Sequence, residues 1–162
     1  MKKIIKGSVL FIVIASVGFY LYVKFNPPLE VNTLAWSDDK KSVVVSVGNK
    51  GLREFRIVDV VVNNDEEPNN KKLQVRNLVD GIIIMNNFDS DKAKQNGFMK
   101  IDGVAIKEGT SAATTFEKLD NGSATKDDLL YGVSVLHDEE VSKVHIKYSY
   151  FGIPFNRTVT IN

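Results

Sequence analysis

Residues 143–161 read Lys-Val-His-Ile-Lys-Tyr-Ser-Tyr-Phe-Gly-Ile-Pro-Phe-Asn-Arg-Thr-Val-Thr-Ile. Val144, Ile146, Tyr148 and Tyr150 alternate with Lys143, His145, Lys147 and Ser149, a period of two that collects apolar side chains on one face of a strand. Gly152 marks a turn, and Pro154 stands at the start of the return strand, where a missing N–H does least harm. Phe155, Arg157, Val159 and Ile161 then share one face of the return. This stretch predicts a β-hairpin, and the hairpin sets the class of the whole domain.

Working outward, short alternating runs rich in β-branched residues recur along the chain. They predict strands over 31–36, 42–47, 55–62, 73–79, 82–85, 98–106, 112–119, 130–136, 144–150 and 155–161. The separators at 63–70, 89–97 and 120–128 are dense in Asn, Asp, Gly and Pro, residues that favour turns. Helix is scarce: 91–95 and a turn within 126–130 are the candidates, and neither is long enough to build a helical layer. Trp36 is expected in the core. Within 55–62, Phe55, Ile57, Asp59 and Val61 share one face, but Asp59 mars it. Val58, Val60 and Val62 are therefore an alternative inward face.

The segment Ser42-Val-Val-Val-Ser-Val-Gly-Asn-Lys-Gly51, followed by Phe55-Arg-Ile-Val-Asp-Val-Val-Val62, resembles paired strands of bacterial immunoglobulin-like domains. The resemblance covers those residues alone. It implies an all-β fold, an antiparallel immunoglobulin-like β-sandwich, with Val43, Val45 and Val47 on one face. Asn49 and Gly51 suit the positive φ of a tight connection.

Towards the N-terminus the pattern changes. Residues 7–23, Gly-Ser-Val-Leu-Phe-Ile-Val-Ile-Ala-Ser-Val-Gly-Phe-Tyr-Leu-Tyr-Val, carry no charge and are bounded by Lys6 and Lys24. At 1.5 Å per residue they give about 25 Å of helix, the short end of what crosses a bilayer core. Lys2, Lys3 and Lys6 precede the run, so the N-terminus is expected in the cytoplasm and the rest outside. Tyr20, Tyr22 and Phe25 suit the interfacial belt, and Pro27-Pro28 stop the helix. A cleaved signal peptide would end near Ser16 or Gly18, yet the apolar run continues beyond them. Lys6-Gly7 before an apolar run also resembles a type IV prepilin leader. Ile12 stands where that family has glutamate, and Pro27-Pro28 truncate its stalk helix. The expected organisation is a cytoplasmic stub and signal-anchor over 1–25, a linker over 26–30 and one extracytoplasmic domain over 31–162, with residues 7–23 in the lipid bilayer.

Composition narrows the function classes. Hydrophobic residues make up 43% and charged residues 25%, enough to bury a core and too balanced for intrinsic disorder. There is no cysteine, which excludes disulfides, thiolate metal sites and a cysteine nucleophile. A cysteine-free exported domain rich in Lys and Asn resembles, in composition, those of Gram-positive bacteria. With four lysines and no acid in residues 1–24, the remaining chain is mildly acidic and lacks the basic footprint of a nucleic-acid binder.

No motif converges on chemistry. His137 before Asp138-Glu139-Glu140 reads as a solvated turn more readily than as a metal site. Asp89, Asp91, Asn96 and Gly97 depart from the calcium-loop pattern, because Ala93 and Lys94 occupy its fifth and sixth positions. G-x-S-x-G and a glycine-rich phosphate loop are missing from the sequence, and Asp127-Asp128 reads as loop solvation. Phe151 and Ile153, at the tip of the last hairpin, are the candidate partner-contact residues unless another loop or the membrane covers them. The expectation is a non-enzymatic binding or scaffolding module without cofactor, presented to a protein or cell-wall partner. The alternatives are a subunit assembled through its helix and a surface hydrolase with a loop-built site.

Overall fold

A computed structural model describes residues 2–162, with side chains from Lys6 onward. Helix α1 spans Lys2–Phe25, and its stretch Lys6–Phe25 has a mean hydropathy of 2.0 with 6% of the residues buried. That is long and apolar enough to cross a membrane, a length and composition that spans and signal sequences share. Asn26 closes the helix by donating its backbone N–H and its side-chain amide to the carbonyl of Tyr22.

Beyond it the chain is mostly β, in two antiparallel sheets. One holds β1 (Leu29–Trp36), β2 (Ser42–Asn49), β4 (Asn70–Asn77), β5 (Phe98–Met99) and β7 (Leu129–Leu136) in the order β1-β2-β7-β4-β5. The other holds β3 (Phe55–Val62), β6 (Ala105–Ile106), β8 (Lys143–Tyr150) and β9 (Ile153–Thr160) in the order β6-β3-β8-β9. Helices α2 (Asp91–Gln95) and α3 (Ala112–Asp120) lie in the long connection from β4 to β7.

The sheets enclose one core. Val43, Val45, Val47, Leu73, Val133 and Val135 come from the first sheet, and Ile57, Val60, Val62, Val144, Ile146 and Tyr148 from the second. Each such side chain contributes about 1.5–3 kcal/mol through burial. Burial raises the Tyr148 hydroxyl to about 12. The predicted hairpin is present, with Val144 opposite Val159 and Tyr148 opposite Phe155. One flank of the core closes where Thr33 Oγ1 donates to the Thr160 carbonyl at 3.4 Å. The other closes where the chain crosses from β5 to β6, burying Ile101. Lys71 of the first sheet also reaches Asp59 of the second on that flank, at 2.6 Å.

Several expectations need correction. Residues 112–119 form α3 rather than a strand, because Ser111 accepts the Thr114 N–H at its N-terminus and Gly122, at φ 68°, ends it. Residues 82–85 join no ladder. Residues 98–106 divide into β5 and β6, which belong to different sheets. Strands 42–49 and 55–62 do not pair with each other. They lie in opposite sheets, and neither Asn49 nor Gly51 has a positive φ. Asn49 is instead fully buried, donating to the carbonyls of Arg53 and Ile106, while Gly51 is required for space: a Cβ there would stand 2.6 Å from Pro28 Cβ. Trp36 is 44% exposed, since it ends an edge strand with no further strand to cover it. The ambiguity around Asp59 is resolved by a bulge between Ile57 and Asp59, which leaves Val58 62% exposed. Phe55 and Ile57 face the core before the bulge, Val60 and Val62 after it, so the alternation changes phase in mid-strand.

Candidate functional site

The outer face of the first sheet is covered by residues 78–96, and the cover is held largely by side chains. Gln74, buried in β4, donates to the Ile83 carbonyl (2.7 Å) and accepts the Ile83 N–H (3.1 Å), so one amide does the work of a neighbouring strand. Its Nε2 also meets Ser134 Oγ at 2.6 Å. Ser42 Oγ donates to the Met85 carbonyl at 3.1 Å. Phe88, Ala93 and Phe98 form a second small core there, with Ile83, Met85 and Leu136 packed against it. Gly132 lets Ile82 approach, since a Cβ would meet the Ile82 side chain at 3.1 Å.

Where this cover gives way to α3, it leaves a groove of about 340 Å³, lined by Leu34, Leu78, Ile82, Phe116, Leu119 and Leu130, with Asn32, Ser46 and Thr110 as polar members. Leu34 is presented by a bulge: it falls out of register between Thr33 and Ala35 of β1. Thr115, Phe116 and Leu119 follow Ala112 at helical spacings of three, four and seven, and all four line the groove. Yet α3 has no buried residue, and Phe116 is 62% exposed. An amphipathic helix ordinarily buries its apolar stripe against its own domain; this one does not.

The helix is firmly placed all the same. Glu30 Oε2 accepts the Ala112 N–H at 3.1 Å, complementing the positive end of the helix. The Lys118 ammonium is bound to Asp128, whose carboxyl is held down at about 2 by that hydrogen bond and then by the Thr125 N–H and hydroxyl. Asp127 and Asp128 thus belong to the loop that closes α3.

Other residues singled out in the sequence are dispersed. His137 Nε2 meets Glu66 Oε2 at 3.2 Å, while Asp138 is bound by Asn69. His145 bridges the Asn63 carbonyl and Thr158 Oγ1. Asp89 pairs with Lys72 and Asp91 with Lys94. Among the described residues no three His, Asp or Glu side chains are grouped to hold a metal ion. Ile153 packs against the main core. Phe151 is 37% exposed and lies edge-on against Phe19 of α1, with ring centroids 5.1 Å apart. The groove residues Leu34, Ile82, Phe116 and Leu119 were missed because all were assigned to strands. The signal for α3 was nonetheless there, in Ser111, the helical spacing and Asn121-Gly122.

Comparison of the chain with protein-family models finds no match, and neither the curated proteins nor the solved structures yield one.

Proposed function

We propose that this protein is a non-catalytic binding module, held on the outer face of a membrane by α1, whose groove receives an apolar segment of a protein partner. The observation that carries it is the apolar stripe of α3, left open beside the bulged edge strand. In this reading the two sheets form an immunoglobulin-like sandwich, and its long connection, residues 78–128, carries the function, as loops on rigid scaffolds commonly do.

The lining favours a protein over a cell-wall polymer. Sugars are recognised by rows of hydrogen-bond groups, whereas five of the six principal side chains here are aliphatic and the sixth is a phenyl ring. Position supports it too. Asn32 and Leu34 are three and five residues beyond the start of β1, so the groove lies about 10–17 Å along the strand from where the chain leaves α1. A partner anchored in the same membrane would meet it at that height.

The test places a photo-crosslinking phenylalanine analogue at position 116 of the full-length protein in its membrane and sequences the crosslinked peptide. The expected product is an apolar segment of one other protein, lost when Leu34 and Leu119 are changed to Ser and absent when the analogue stands at Thr158. Crosslinks to this chain's own peptides, to polymer fragments or to nothing would overturn the proposal.

A further inference from the structure

The junction between α1 and the domain carries a second, independent observation. Val23, near the end of the apolar helix, is 1% exposed and belongs to the domain's main core. Phe19 contacts Phe151. Lys50 donates its backbone N–H to the Pro28 carbonyl, and the Leu52 N–H is bound by the Tyr150 hydroxyl at 2.7 Å. The helix is therefore docked on the base of the domain, not attached by a free tether.

Length then decides where the base must lie. Phe19 precedes Phe25 by six residues, so the hairpin tip touches α1 about 9 Å below the end of the helix. The whole charge-free run gives only about 25 Å against a hydrocarbon core of about 30 Å. If the domain stood clear of the bilayer, everything from Phe19 onward would be withdrawn and the remaining charge-free run, residues 7–18, would be about 18 Å, too short to span.

The residues at this end fit the consequence. Leu52 is 65% exposed and Phe25 75%. Arg53 lies over the Phe151 ring at 5.2 Å and Lys24 over Tyr20 at 5.8 Å, each a cation with an apolar stem and a charged tip. Lys50 is 3.9 Å from Glu30, and the other acid at this end, Glu54, stands beside Arg53 in the hollow that Phe151 and Gly152 also line. Phe151 also holds φ at 50°, followed by Gly152 at 75°, a turn geometry that normally selects Asn, Asp or Gly. A phenyl ring on that residue strains the backbone. It is offset by a ring contact at the membrane end.

We infer that the base of the domain is itself a membrane-contact surface: Leu52, Phe151 and Phe25 enter the outer interface while Lys24 and Arg53 reach lipid phosphates. This rests on reading α1 as a span, and it fixes the domain's orientation on the bilayer.

Because the chain has no cysteine, single-cysteine labelling is clean. Full-length protein is reconstituted in phosphatidylcholine–phosphatidylglycerol vesicles and carries an environment-sensitive fluorophore at Leu52→Cys, at Val13→Cys in the helix, or at Glu139→Cys in the β7–β8 connection. Nitroxide-labelled lipids then quench whichever labels touch the bilayer. The expected result is strong quenching and a blue shift at positions 13 and 52, with neither at 139. Quenching at 13 with a water-like signal at 52 would overturn the surface while leaving the span intact. A water-like signal at 13 would overturn both. Quenching at all three would show the domain lying against lipid without the stated orientation, and would overturn the proposal as well.

Discussion

The two sheets differ less in their inner faces than in their outer ones. Behind β3, β8 and β9 stand Lys143, His145, Ser149 and Thr158, half-exposed or exposed, and that face is left to water. Behind β2, β4 and β7 stand Val44, Ser46, Gln74, Gly132 and Ser134, mostly small or amide side chains, flanked on β4 by Lys72 and Arg76, whose charges are met by Asp89, the Gly81 carbonyl and Asn96 of the covering segment. That face is roofed by residues 78–96, latched mainly through side chains, before the chain joins the same sheet as β5. A bare polar face needs no further structure. A face of small residues accepts a second layer, and where the second layer stops, at α3, an apolar groove remains.

The sharpest way to break this contrast is to obstruct the point where the roof enters the sheet, at Gly97, whose carbonyl accepts the Val75 N–H. Gly97 has φ 77°, and a Cβ there would stand 2.2 Å from the Val75 carbonyl oxygen of β4. Gly97→Ala is expected to cost about 3 kcal/mol, the sum of left-handed backbone strain and an overlap that only movement of β4 or the roof relieves. Gly152, in the β8–β9 turn, has a similar φ of 75° with open space around it. Gly152→Ala should cost about 1–2 kcal/mol, the backbone term alone. Chemical denaturation of both variants in matched detergent checks this, and equal losses would mean that the close approach of Gly97 to β4 adds nothing to the backbone term.

A milder change asks what the latch is worth. Gln74→Ala leaves the Ile83 N–H and carbonyl without their partner in a dry setting, for an expected loss of about 1–3 kcal/mol. The mirrored substitution on the bare face, Thr158→Ala, removes the exposed contact to His145 and should stay within about 0.5 kcal/mol. Hydrogen exchange sharpens the result: Gln74→Ala should expose residues 82–86 selectively, whereas uniform deprotection of both sheets would show that roof and sheet unfold as one unit.

The same contrast explains what could be read from sequence. The hairpin 143–161 was legible because one face of it meets water, and half-burial writes a clean period of two. The bulge in β3 was visible only as an anomaly at Asp59, since two phases of alternation are superposed there. The roof was misread for a different reason. Its residues pack on one side against a sheet, so 82–85 has the composition of a strand, while its hydrogen bonds go to the side chains of Gln74 and Ser42, partners that no alternation pattern reveals. α3 shows the converse error: β-branched Thr114 and Thr115 suggested a strand, although Ser111 and Gly122 already bounded a helix. The apolar helix α1 was legible from hydropathy; its docking on Phe151 was not, because that contact joins residues 19 and 151.

The smallest effect concerns the tie between the two sheets. Asp59 accepts from Lys71 of the facing sheet at 2.6 Å and from Lys147 beside it at 3.3 Å. The Lys71 hydrogen bond, opposed by partial desolvation and aided by Lys147, holds its carboxyl below the usual 3.8. A carboxylate whose pKa is lower folded than unfolded binds its proton less readily in the native state. Its contribution is therefore present above about pH 4 and disappears as pH falls through the folded value. For a partly exposed pair that contribution is under about 1 kcal/mol. Asp128, held at about 2 beside α3, titrates in the same direction. Wild-type stability should thus decline between about pH 4 and pH 2. Asp59→Asn should flatten part of that decline, and Asp128→Asn a separate part accompanied by loosening of α3. If Asp59→Asn leaves the acid profile unchanged, the Lys71 bridge contributes nothing to holding the sheets together, and the shared core alone joins the roofed sheet to the bare one.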